Sequence, residues 1–91
     1  MQIVVIRATV PPHGSTRWHV HLYPQASYML SGTLILQDRK GSRIAQMRAG
    51  EAKVEPAGVI LRAVNPSESV PAVIVLFQVS APGKPAIKWH A

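Results

Sequence analysis

The sequence predicts an all-β fold, a small sandwich or barrel, and three observations carry that expectation. Eight prolines break the chain at short intervals, from Pro11 to Pro85, and leave no stretch for a long helix. Between them lie short runs rich in Val, Ile, Leu and Thr. Turn-forming clusters such as PPHGS, DRKGS, EPAG and NPSESVP separate those runs at regular spacing. Strands are expected over 2–10, 16–22, 26–31, 33–38, 43–48, 51–55, 59–64 and 72–80.

Each element has a local reason. The opening run QIVVIRATV is β-branched and ends at two prolines. Gly32 falls between two runs where a tight turn needs a positive φ, and Gly41 does the same inside DRKGS. AVIVLFQV is apolar almost throughout, so it is read as a buried central strand or as an edge covered by a second subunit. The tail PGKPAIKWHA has no clear period; it is expected to lie across the barrel or a neighbour with Trp89 as anchor. No internal repeat is visible.

Composition narrows the function classes. Ninety-one residues make one domain, 1–91, with a modest core. The absence of cysteine removes disulfides, thiolate metal sites and cysteine nucleophiles together. The first segment carries Arg7 in its middle, is too short to cross a membrane and lacks the basic start of a secretion signal. The expectation is a soluble, cytoplasmic protein with no membrane partner, unless a longer precursor has been trimmed. A net charge of +6 raises nucleic acid as a partner, but the ten Lys and Arg are scattered, which argues against it. No nucleophile elbow, phosphate loop or hydrolase triad appears.

The stretch WHVHLYPQASYMLSG holds the most chemistry. In a strand, His19 and His21 point to the same face and can offer two nitrogens to one ion. Trp18 points the other way and is expected to pack. Arg17 shares the histidine face near the barrel mouth.

Two segments carry a resemblance to the cupin superfamily, the small single-domain kind. The first cupin motif reads G-(x)5-H-x-H-(x)3,4-E-(x)6-G. Here Gly14 precedes His19 by four residues instead of five, His19 and His21 fill the H-x-H, Gln25 stands where the glutamate belongs, and Gly32 is in register. The second motif, G-(x)5-P-x-G-(x)2-H-(x)3-N, is matched by Gly50, Pro56, Gly58 and Asn65, with Leu61 in place of its histidine. The resemblance implies a double-stranded β-helix, or jelly-roll, barrel with its site inside.

In metal-binding cupins the two histidines, the glutamate and the second-motif histidine hold iron, manganese, nickel, copper or zinc. The resemblance therefore implies a weak or altered site of His19, His21 and Gln25, with low occupancy by a divalent transition metal (Fe, Mn, Ni, Cu or Zn) and no organic cofactor. Leu61 cannot ligate; with Met29 and Arg17 it is expected to line the pocket. None of Asp38, Glu51, Glu55 and Glu68 falls where the motifs place a residue inside the barrel, so no anion is expected beside the imidazoles. The reading is a barrel that binds a small-molecule ligand. Its alternative is a metal-dependent enzyme of the dioxygenase or isomerase type using His19, His21 and Gln25. A third reading is a partner domain that works through its basic surface or its tail. A homodimer with an exchanged or abutting N-terminal strand is expected.

Overall fold

A computed structural model describes residues 1–90. Among the described residues nine strands run in order: β1 (Gln2–Val10), β2 (His19–His21), β3 (Gln25–Ser31), β4 (Thr33–Asp38), β5 (Arg43–Arg48), β6 (Ala52–Glu55), β7 (Ile60–Val64), β8 (Ala72–Ser80) and β9 (Ile87–Trp89). Among the described residues there is no helix. The strands form two antiparallel sheets, one ordered β1-β8-β3-β6 and the other β5-β4-β7-β2-β9. This is a jelly-roll arrangement, the one the resemblance implies.

Eight of the nine strands fall where β-branched runs and turn residues place them. The ninth, β9, is formed by the aperiodic tail. It pairs with β2 and sets Trp89 opposite His19 and Ile87 opposite His21. A three-residue strand has too little pattern to be read from sequence, and its pairing with a distant segment supplies the order. Trp89 is still half-exposed. Trp18 packs between two cations on the outer surface, with Arg39 and Arg62 guanidinium carbons 5.1 and 4.7 Å from its ring centre.

The apolar face of each strand turns inward at every second residue. Met29, Leu34, Met47 and Leu61 are fully buried, and Val10, Leu36, Ala72 and Ile74 complete the core they form. β8 is central in its sheet, flanked by β1 and β3. Asn65 ties the loops at one end: its Nδ2 donates to the carbonyls of Val10 and Val70 at 3.1 and 2.9 Å, and its Oδ1 accepts the Ser67 amide at 3.0 Å. In DRKGS, Asp38 Oδ1 accepts the amides of Lys40 and Ser42, both at 2.9 Å, which closes the turn.

The outer face of the four-stranded sheet is apolar as well. Val5 pairs with Phe77, Phe77 with Ala26, and Ala26 with Val54, so one outward row crosses all four strands. Val5 is 61% exposed and Val54 68%. β1 pairs along its whole length with β8 of its own chain.

A single residue, Gly32, turns the chain from one sheet into the other between β3 and β4. Its φ is +75°, and a Cβ there would lie 2.6 Å from the Pro71 carbonyl oxygen. Gly41 also has a positive φ, +83°, but open space around it. Gly32→Ala therefore meets a backbone clash on top of the left-handed cost of about 1–3 kcal/mol, whereas Gly41→Ala meets that cost alone. Denaturant unfolding is expected to rank Gly32→Ala clearly below Gly41→Ala; equal losses would mean the corner relaxes freely.

Candidate functional site in the barrel

A cavity of about 450 Å³ lies between the two sheets. Its wall is mainly aliphatic: Ile6 and Val10 from β1, Leu34 and Leu36 from β4, Ile74 and Leu76 from β8. Leu61 also lines it, opposite His19 across the β2–β7 pair. Pro85, Ala86, Ile87 and Trp89 bring the tail against it. Met29 and Arg17 are elsewhere. Met29 is wholly buried in the core outside the cavity lining, and exposed Arg17 lays its guanidinium 5.0 Å from the Trp89 ring centre. Both were expected on the wall. The tail strand caps the face that Arg17 would have reached.

The polar groups of the cavity gather around His19, His21, Gln25, Glu55 and Gln78. All five are buried. β2 brings the two histidines in side by side, their ring centres 4.9 Å apart. His19 Nδ1 lies 2.7 Å from the Arg17 carbonyl oxygen, which can only accept, so that nitrogen carries the proton and Nε2 keeps its lone pair. His21 Nε2 lies 3.4 Å from the Gln25 amide nitrogen and accepts from it.

Glu55 corrects the expectation that no acid enters the barrel. It is 4% exposed and stands directly across from Gln25 in the β3–β6 register. Two residues opposed in an antiparallel pair share a face, so an inward Gln25 obliges an inward Glu55. Gln78 Nε2 donates to Gln25 Oε1 at 2.9 Å, and Gln25 Nε2 donates to Glu55 Oε2. The two amides thus form a donor chain that ends on the carboxylate. Gln78 and Glu55 were both absent from the sequence-derived site. The available signal was alternation: Gln78 and Glu55 interrupt strands at positions in phase with the inward residues.

Burial governs the protonation of these groups. It pushes the Glu55 carboxyl up, partly offset by the Gln25 hydrogen bond. Burial lowers His21 to about 4, with the neighbouring His19 adding to the effect. Burial also lowers His19, against the raising effect of its bond to the Arg17 carbonyl. With His21 neutral, its 3.9 Å approach to Glu55 is no ion pair.

Two imidazoles, an amide and a carboxylate are donors that suit a divalent transition metal. As they are placed they do not fit a resident ion. Among the described residues no three of His, Asp and Glu converge closely enough to hold one. The Glu55 carboxylate is turned to the Gln25 amide, and Leu61 fills the fourth position.

The model of the cupin domain matches residues 6–80. The chain belongs to the cupin family. Among solved structures, a cupin domain from Bordetella pertussis Tohama I is 30% identical with a TM-score of 0.73, over 87% of this chain and 82% of that one. A cupin-like protein from Thermotoga maritima superposes with a TM-score of 0.80 at 20% identity, covering 97% of this chain and 64% of its own length. The polyketide cyclase RemF from Streptomyces resistomycificus is 25% identical with a TM-score of 0.69; the match covers 82% of this chain and 52% of that protein. A search of curated proteins finds no match.

The lowered His21 has a signed consequence. Between pH 6.5 and about 4 the unfolded chain takes up a proton at this residue that the folded cupin refuses. Stability from His21 is full above 6.5 and falls as pH drops through that window, by up to about 1.4 kcal/mol per pH unit. Glu55, raised by burial, acts with the opposite sign, because acid relieves its buried charge. Unfolding free energies of the wild type and His21→Gln measured across pH isolate the histidine: the variant should show a shallower acid-side decline, keeping only the share of the other groups, His19 among them. Parallel curves would show that His21 takes up its proton alike in the folded and the unfolded chain.

Proposed function

We propose that this cupin binds a small, largely apolar molecule in its barrel, with the molecule's polar end against His19, His21, Gln25, Glu55 and Gln78. The observation that carries the reading is the cavity itself. A domain of 91 residues keeps about 450 Å³ open between its sheets, with aliphatic walls and one cluster of buried polar groups. Packed interiors close voids of that size unless something occupies them. The fold does not choose a chemistry, since one scaffold hosts many activities; RemF is a polyketide cyclase on it.

A metal-dependent reading has one observation in its favour. His19 is anchored through Nδ1 to a carbonyl and holds Nε2 free, the orientation that metal-ligating histidines adopt. Leu61 separates the two readings, since it lines the cavity next to His19. Leu61→Phe takes up cavity volume and should weaken binding of a neutral apolar dye such as Nile red by about tenfold or more, at an overpacking cost of about 1–3 kcal/mol. Leu61→His adds a third imidazole and should raise Co²⁺ or Ni²⁺ affinity, followed by ligand-field absorption and calorimetry. Dye binding unchanged in Leu61→Phe would sink the cavity reading. Stoichiometric metal in the wild type, undiminished by His19→Ala, would sink the metal assignment to these histidines.

The exposed row Val5, Phe77, Ala26 and Val54 favours a homodimer in which two copies abut through this sheet face and the β1 edge rather than exchange β1, which is satisfied by its own β8. Sedimentation at micromolar concentration should give a dimer that Val5→Lys with Val54→Lys converts to monomer. A wild-type monomer under those conditions would refute the interface.

A further inference from the structure

The cavity lacks the positive charge that the chain carries. The sequence carries +6, with ten Lys and Arg, yet no lysine or arginine lines the barrel. Lys53 lies two residues before Glu55 on β6 and is absent from the lining. Among the described residues, the one carboxyl group that lines the cavity is that of Glu55, and its donor is the amide group of Gln25.

The free valences around it are mostly acceptors. Gln25 has turned its amide nitrogen toward Glu55 and His21, so its donors are taken. His19 Nε2 keeps a lone pair, because Nδ1 donates to the Arg17 carbonyl. His21 Nε2 receives a bond of 3.4 Å, long enough to be displaced by a better donor. His21 Nε2 and Glu55 Oε2 are 3.9 Å apart. One nitrogen at about 2.8 Å from each can bridge that gap. The donors among the lining groups are neutral: the Thr16 hydroxyl, which already accepts the Ala63 amide, the second N–H of Gln78, the Nδ1–H that His21 keeps when its Nε2 accepts, and the Trp89 indole N–H.

We propose that the barrel selects a positively charged, hydrogen-bond-donating amphiphile, an alkyl or aryl-alkyl amine whose ammonium sits between Glu55 and His21 and whose apolar body fills the aliphatic wall. The inference rests on the cavity-binding reading and names its ligand class. An ammonium offers three donors and no acceptor, which matches what the cluster lacks. The desolvation of Glu55 is already incurred on folding, so the complex adds only that of the amine. A carboxylate or phosphate ligand would instead meet a like charge in a medium where charges are poorly screened.

The test is calorimetric titration of the cysteine-free wild-type chain at neutral pH with phenylbutylamine, phenylbutanol and phenylbutyrate, which share one apolar body. The amine is expected to bind tightest and the carboxylate weakest, with amine over carboxylate by about tenfold or more, the size of a hydrogen bond to a charged group. Glu55→Gln should cut amine affinity by a similar factor and leave the alcohol within a few-fold. If the alcohol binds but the carboxylate equals or exceeds the amine, the ligand class is wrong and the cavity reading stands. If Glu55→Gln folds and leaves amine binding unchanged, the role given to Glu55 is wrong. If none of the three binds, both readings fall. The wild-type ranking needs no variant and decides the matter even where Glu55→Gln does not fold.

Discussion

The antiparallel register between β3 and β6 places Gln25 across from Glu55, and the polar end of the barrel depends on that pairing. A slip of one residue would turn Glu55 out to solvent and bring Val54 in. The amide chain from Gln78 would then end on nothing, and the cavity would hold two neutral imidazoles without an anion. Register is held by both neighbours of β3: β6 on one side and β8 on the other, where a bulge between Met29 and Ser31 absorbs the irregularity next to Gly32.

The same constraint explains how a chain this small keeps a cavity. Two sheets of four and five strands contribute alternate residues to one interior. Near Met29, Leu34, Met47 and Ala72 the side chains meet and pack. Toward His19, His21 and Glu55 they do not, and β9 closes the space from the side with Ile87 and Trp89. The tail is thus part of the site's wall, although its own sequence has no strand pattern. Buried polar groups are costly unless bonded, and here the amides of Gln25 and Gln78 serve the carboxylate in series.

Substitution at two family positions changes the electrostatics more than the shape. Gln25 stands where the family motif has a glutamate, and Leu61 where it has a histidine. The carboxylate has not vanished from the site; it stands one strand over, on β6. Leu61 keeps the wall apolar beside His19. The outcome is a site with one buried carboxyl group, two imidazoles and an aliphatic body, inside a protein whose net charge is strongly positive.

Eight of the nine described strands, the turns at Gly32 and Gly41, the inward direction of His19 and His21, and the cupin motifs were readable from the chain, because they are local: period-two alternation, β-branched runs and glycine's tolerance of positive φ depend on neighbours in sequence. Gln78 and Glu55 were not, and for Trp89, expected to anchor the tail across the barrel or a neighbour, the strand pairing was not, although each sits beside the cavity. Their places follow from pairings between segments far apart in the chain, Gln25 with Glu55 and His19 with Trp89, and from the hydrogen bond of Gln78 to Gln25. Arg17 was assigned to the wall because it shares the histidine face, and alternation fixes a face but not what stands in front of it; Met29, read as lining like Leu61, packs into the core instead. The sequence by itself determined the sheet elements and which histidines turn inward. Only the tertiary structure decided where the charge lies, because a buried carboxylate is recognised by what surrounds it and not by what precedes it.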